Sequence, residues 1–205
     1  MSIVKLNNKA VSNATAFGSI SSLGSMTFIK KLTASASATL SFVDGASGVV
    51  LDDTYKEYVF TFKDIHGSQD NAFFEVNFRD GGTAYDATKT TTFFKTQHSE
   101  DNTYASVDYI TGSDLAQSTS FQQLSTNSGN DNDQCLVGNL TIYNPSSTVF
   151  VKHFISNTNL SHFENLSMQN FMAGYCNTTS AIDGVQFKFS GGTIDVGDIC
   201  LYGIA

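Results

Sequence analysis

The sequence predicts an all-β chain: an antiparallel β-sandwich, jelly-roll-like, with about ten strands. Three observations point there. Apolar and polar residues alternate in short runs such as "YKEYVFTFKDI" and "NAFFEVNFRDGG", the period of a half-buried strand. Between the runs lie Gly, Ser, Thr, Asn and Asp, with a single Pro in the whole chain, which is turn chemistry. No stretch carries a sustained helical period. "DLAQSTSFQQL" is the best helical candidate, and its apolar positions are sparse.

In chain order, residues 1–25 come first as an arm or edge segment. Ile3, Val4, Leu6, Phe17, Ile20 and Leu23 recur there without a steady period. The segment reads either as an arm ordered by contact with a neighbouring chain or as an edge strand with a loop. Residues 26–205 read as one β-sandwich domain, because no Gly-, Ser- or Pro-rich linker divides them. "TFIKKLTA" and "ATLSFVDG" are the first firm strands. In "YKEYVFTFKDI", Tyr58, Phe60 and Phe62 share a face. Phe74, Val76 and Phe78 do the same in the next run. These two runs are expected to be antiparallel neighbours, joined by the link "HGSQDN".

"TTTFFKTQ" and "YASVDYIT" follow, then the polar loop "TNSGNDNDQ". "CLVGNLTIYNP" and "TVFVKHFIS" flank an Asn-Pro-Ser-Ser turn, with Phe150, Lys152 and Phe154 on one face of the second run. After "FMAGYCNTT", the chain closes with "GVQFKF" and "ICLYGI". The expected core is Phe60, Phe62, Val76, Phe78, Ile142, Val185, Phe187 and Leu201. The last strand is apolar on both faces. Ile199 and Leu201 fill one, while Cys200, Tyr202 and Ile204 load the other. One set therefore needs cover beyond a simple sheet face, from a loop of the chain or from a second subunit. Cys200, Tyr202 and Ile204, with Ile3 and Leu6 from the arm, are the candidate oligomer-interface residues, and a homo-trimer is the expected assembly.

Composition narrows the function classes. With 205 residues, 40% of them hydrophobic, and 17 Phe and 8 Tyr, the chain buries a sizeable core without staples. A formal charge of −8 and a pI near 4.7 repel a phosphate backbone, so no nucleic-acid binding is expected. Docking on an anionic membrane is disfavoured for the same reason, and no run reaches the length of a membrane span. Cys135, Cys176 and Cys200 are odd in number and far apart. They read as reduced thiols, two of them buried. The opening "MSIVKLNNKA" lacks the apolar stretch of a signal peptide, which fits synthesis in a cytosol.

Catalytic patterns are missing. His66, His98, His153 and His162 form no HExxH, and there is no GxSxG, P-loop or GxGxxG. His98 lies near Glu100 and Asp101 in "QHSED", which reads as a solvated turn. Asp131 and Asp133 carry the ligand type of a hard-cation loop, but without the Gly and distal Glu of an EF-hand. No cofactor, metal or enzymatic activity is expected. Tyr85, Tyr104, Tyr109, Tyr143 and Tyr175 are the rings available for stacking a sugar.

Three stretches carry a resemblance: "LTASASATLSFVDGASGVVLDDTYKEYVFTF", "GNLTIYNPSSTVFVKHF" and "AIDGVQFKFSGGTIDVGDICLYGI". From about Met26 onward the chain resembles a family of small structural proteins of tailed marine bacteriophages. The closing F-x-F-S-x-G-x-I-x-x-G-x-I-x-LYGI pattern is the most specific part. Where such proteins usually read "SSGNI", this chain has "SGGTI" from Ser190 to Ile194, which keeps the turn and loses the Asn side chain. The resemblance implies a virion β-sandwich at the capsid surface, decoration- or cement-like, or in the tail apparatus, with other virion proteins as partners. It implies no catalytic residue. The competing expectation is a receptor- or glycan-binding tail-fibre module that meets a host surface glycan.

Overall fold

The computed structural model describes residues 25–205. Ile3 and Leu6, with the rest of residues 1–24, lie outside the described residues. Twelve strands, rather than about ten, run in chain order: β1 (Met26–Thr33), β2 (Leu40–Val43), β3 (Glu57–Gly67), β4 (Phe74–Arg79), β5 (Lys89–Ser99), β6 (Ala105–Tyr109), β7 (Gln122–Gln123), β8 (Leu136–Tyr143), β9 (Lys152–His162), β10 (Leu166–Cys176), β11 (Gly184–Phe189) and β12 (Ile194–Ile204). Among the described residues there is no helix. The segment "DLAQSTSFQQL" is a bent loop that ends in the two-residue β7.

The strands form two antiparallel sheets, as the alternation predicts. The larger has the order β1-β12-β3-β8-β9-β10-β5-β6, and the smaller β2-β11-β4-β7. β8, β9 and β10 are consecutive hairpin neighbours. β3 and β4 are not the expected pair. β3 lies between β12 and β8 in the large sheet, and β4 lies between β11 and β7 in the small one. The link between them crosses from one layer to the other. A period of two fixes which face of a strand is buried; it does not choose the neighbour.

The two layers meet through aromatic rings. Phe42 and Phe187 of the small sheet pack edge-on to Phe60, with centroids 5.2 and 5.3 Å away. Phe74 meets Phe62 at 5.2 Å, and Phe78 meets Phe154 at 4.8 Å. All eight expected core residues are buried in one continuous cluster. Four short strands do not cover eight. Over β9, β10 and β5 the inner face is covered instead by the loop around residues 110–134, and the contacts become polar. The Thr91 hydroxyl donates to Gln122 Oε1 at 2.6 Å, Thr126 donates to Asn170 Oδ1 at 3.1 Å, and Thr158 donates to the Leu124 carbonyl at 2.6 Å. Each of these side chains is buried, so each needs the partner it has.

Two lysines also point inward. Lys152 sits on the same face as Phe154, as the alternation implies, and is fully buried with Nζ donating to the Thr178 carbonyl at 3.1 Å. Lys89 is buried as well. In register, Cys176 of β10 stands opposite Lys89 on one side and Lys152 on the other. The three cysteines carry no disulfide. Only Cys176 is buried, while Cys135 and Cys200 are half-buried, one fewer buried thiol than expected.

Candidate interaction surface

The outer face of the large sheet collects the residues singled out from the last strand. β12 is an interior strand of that sheet, flanked by β1 and β3. Ile199 and Leu201 point into the core and are buried, while Cys200, Tyr202 and Ile204 point outward and are half-buried. Their cover within the chain is lateral. The Phe28 ring of β1 packs edge-on against Tyr202, with centroids 5.7 Å apart. Phe28 itself remains 57% exposed, so the pair forms a step on an open face.

The antiparallel register extends this step into a row. Phe28 stands opposite Tyr202, Tyr202 opposite Val59, Val59 opposite Thr141, and Thr141 opposite Ile155. Ile155 in turn stands opposite Ala173, and Ala173 opposite Thr92. A parallel row runs through Cys200, Thr61, Asn139, Asn157, Phe171, Phe94 and Tyr109. Phe94 and Phe171 stack at 4.7 Å with their planes 12° apart, and Ile155 is 50% exposed near the middle. Neither row holds an Asp, Glu, Lys or Arg between β12 and β5. The charges lie at the margins, and one of them, Lys31 of β1, stands opposite Cys200 at the head of the second row. Lys31 bonds Asp198 at 3.1 Å near one margin, and Glu57 stands opposite Ile204 at the other. At about 4.8 Å between strands, the two rows span roughly 30 Å of sheet.

Ala173 and Gly174 leave a shallow depression in this face, walled by Ile155, His153 and Tyr175. His153 packs on the Tyr175 ring at 5.9 Å. Alternation alone found the half of the surface on β12. The half on β8, β9 and β10 needs the register, because its residues are mostly Thr, Asn and Ala.

A second feature lies at one end of the large sheet, where the β5–β6 turn meets the β9–β10 turn. A cleft of about 670 Å³ there is lined by Lys95, Gln97, Glu100, Asp101, Tyr104, His162 and Glu164, among others. The Gln97 amide donates to Tyr104 Oη at 3.0 Å and to Ser106 Oγ at 2.8 Å, which fixes the half-exposed Tyr104 ring. The Thr103 and Ser99 hydroxyls hold the Asp101 carboxyl down at about 2. Burial pushes the His162 imidazole below its ordinary value. Its Nδ1 accepts the Glu164 backbone N–H at 3.1 Å, leaving Nε2 as the donor.

The other candidates are placed apart. His98 is exposed and bonded to Asn102 at 3.1 Å. Asp131 and Asp133 are exposed in a turn closed by Gln134, whose N–H donates to the Asp131 carbonyl at 2.8 Å. Among the described residues, no group of three or more His, Cys, Asp or Glu side chains converges to hold a metal. No helix among them is long and apolar enough to cross a membrane. Comparison of the chain with known protein families, curated proteins and solved structures finds no match.

Proposed function

We propose that this chain is a structural component of a bacteriophage particle, at the capsid surface or in the tail apparatus. In this reading it assembles by packing the outer face of its large sheet on further copies of itself. The observation that carries the assembly role is the pair of charge-free rows from β12 to β5. A chain of net charge −8 repels its own copies almost everywhere. Contact is least opposed where no charge is desolvated and apolar side chains are already exposed. The two rows, about 7 Å apart, make a patch of roughly 30 by 14 Å, so each contact buries on the order of 800 Å² in total, the size of a small interface. The virion setting comes from the sequence resemblance, and a closed trimer is the arrangement proposed.

Sedimentation tests the assembly. The wild-type chain is expected to be oligomeric at tens of micromolar. Tyr202→Asp and Ile155→Asp each place a carboxylate on the uncharged rows and should shift it to monomer with an unchanged circular-dichroism spectrum. A monomeric wild type over that range sinks the proposal. The cleft beside Tyr104 favours a second reading, recognition of a host surface glycan. It offers one fixed ring with amide, carboxylate and imidazole groups around it. Glycan-array binding that survives Tyr104→Ala would refute a role for this cleft.

A further inference from the structure

The core holds a lysine amine hydrogen-bonded to an asparagine side-chain amide. Asn77 belongs to β4 of the small sheet and Lys89 to β5 of the large one. They are 1% and 0% exposed. Lys89 Nζ lies 2.6 Å from Asn77 Oδ1 and 2.9 Å from the Ala87 carbonyl oxygen. Among the described residues, no carboxylate lies within ion-pair distance of this amine. We propose that Lys89 displaces the side-chain nitrogen of Asn77, forming an isopeptide bond that ties the two sheets together.

The surroundings fit the step. An amine buried without a counter-ion gives up its proton readily. Burial pulls Lys89 down to about 8, with Asp80 and Asp86 acting on it only from a distance and Cys176 as its neighbour across the strands. The neutral form carries the lone pair that attacks. The Phe78 backbone N–H donates to the same Oδ1 at 2.9 Å, so a donor already points at the oxygen where negative charge would develop. The Asn77 amide donates to the Thr119 carbonyl at 2.9 Å, which fixes the plane of the group under attack. The hydrogen bond keeps the amine beside the amide, and rotation about the lysine side chain would carry Nζ from the oxygen to the carbon, an attack that proximity favours. The dry surroundings also keep water from competing for the amide carbon.

The chemistry balances without a co-reactant. The Nζ lone pair forms a bond to Asn77 Cγ, and the carbonyl electron pair moves onto Oδ1 beside the Phe78 N–H. A proton leaves Nζ and reaches Nδ2 by way of Oδ1. The carbonyl re-forms, the Cγ–Nδ2 bond breaks, and ammonia departs. Lys152 supplies an internal contrast. It is equally buried, but its Nζ meets a main-chain carbonyl, that of Thr178, and no side-chain amide.

Mass spectrometry of the denatured wild-type chain tests this. After incubation at pH 9, the chain should be lighter than its sequence mass by one ammonia. Trypsin should cut after Lys63, Arg79 and Lys95 but not after Lys89, releasing residues 64–79 joined to residues 80–95 through the new bond. Lys89→Arg should restore the full mass. Asn77→Leu should do the same, since it removes the carbon under attack. A wild type that keeps its full mass after days at pH 9, with complete cleavage at Lys89, overturns the proposal. So does an ammonia loss that persists in Lys89→Arg, which places the event elsewhere. The decisive measurement needs no substitution, so a variant that fails to fold cannot shield the proposal. Nor does it depend on the assembly reading.

Discussion

Replacing Phe187 by Ala removes the ring at the centre of the interlayer cluster. Phe187 is fully buried on β11. Four rings surround it, with centroids 5.3 Å away for Phe60 and Phe62, 5.8 Å for Phe74 and 6.3 Å for Phe42. Losing the ring returns on the order of 100 Å² of apolar burial, about 2.5–3 kcal/mol. The aromatic contacts add about 0.5–1.5 kcal/mol each beyond area, though they share one ring and do not sum. The cavity adds more, because β11 is held on both sides by ladders to β2 and β4 and the site collapses little. The expected loss is about 3–5 kcal/mol, in the upper half of that range, measured from urea midpoints at unchanged slope. For a chain of this size it lowers the melting temperature by roughly 10 °C or more. Phe94→Ala is the control. That ring is 42% exposed and stacks on Phe171 alone, so its loss should be about 1 kcal/mol. If Phe187→Ala shifts the midpoint no further than Phe94→Ala, the packing between the sheets has been misread.

Two further outcomes are expected. Burial pushes the Cys176 thiol from 9.0 up to about 12 and the Tyr58 phenol from 10.0 up to about 12. Each group keeps its proton in the folded chain where the unfolded chain has lost it. The stabilisation is therefore complete below the unfolded values and is lost as pH rises toward 12, by about 1.4 kcal/mol per pH unit for each group. Lys89, held down at about 8, acts in the opposite sense between about pH 8 and 10.5, so the thiol is read by difference: in a reductant, the gap in urea midpoint between wild type and Cys176→Ala should shrink as pH rises from about 9 toward 12, and a gap that stays constant would mean the thiol ionises freely. Gly138 of β8 has φ +155° and sits where a Cβ would lie 2.7 Å from Thr158 Cα and still closer to the Asn157 carbonyl oxygen. Gly138→Ala should cost about 1–3 kcal/mol, and a neutral result would show that β9 yields at this point.

Local pattern carried the parts of the fold that depend on one strand at a time. The alternation of Tyr58, Phe60 and Phe62, or of Val185, Phe187 and Phe189, follows from the pleat, and each of these side chains is buried. Partner choice is not local. β12 lies between β1 and β3, pairing residues 127 to 178 positions apart in number, and nothing in "ICLYGI" names those partners. Lys152 and Lys89 show a different limit. Alternation places Lys152 beside Phe154, yet its burial depends on a carbonyl at Thr178, and that of Lys89 on an amide at Asn77. The polar half of the core was hidden for the same reason. Thr91, Gln122, Thr126 and Asn170 read as loop or surface residues until their partners are in place. Of the outer face of the large sheet, the outward set of β12 was legible, and the Thr, Ala and Asn positions that continue it were not.

The edge where β1 meets β12 decides how the molecule answers tension. Met26 stands opposite Ile204 and Thr33 opposite Asp198, and the Ala205 N–H donates to the Ser25 carbonyl at 3.1 Å. The chain therefore enters β1 and leaves β12 at one corner. A force drawn between those two points opens the ladder rung by rung, as a zipper opens. Little resistance is expected, because one backbone hydrogen bond at a time bears the strain. A force running along β12 toward its far end would instead shear many rungs at once. A neighbour that grips the middle of the large sheet would load the stiff direction, and one that pulls the corner apart would find the weak one.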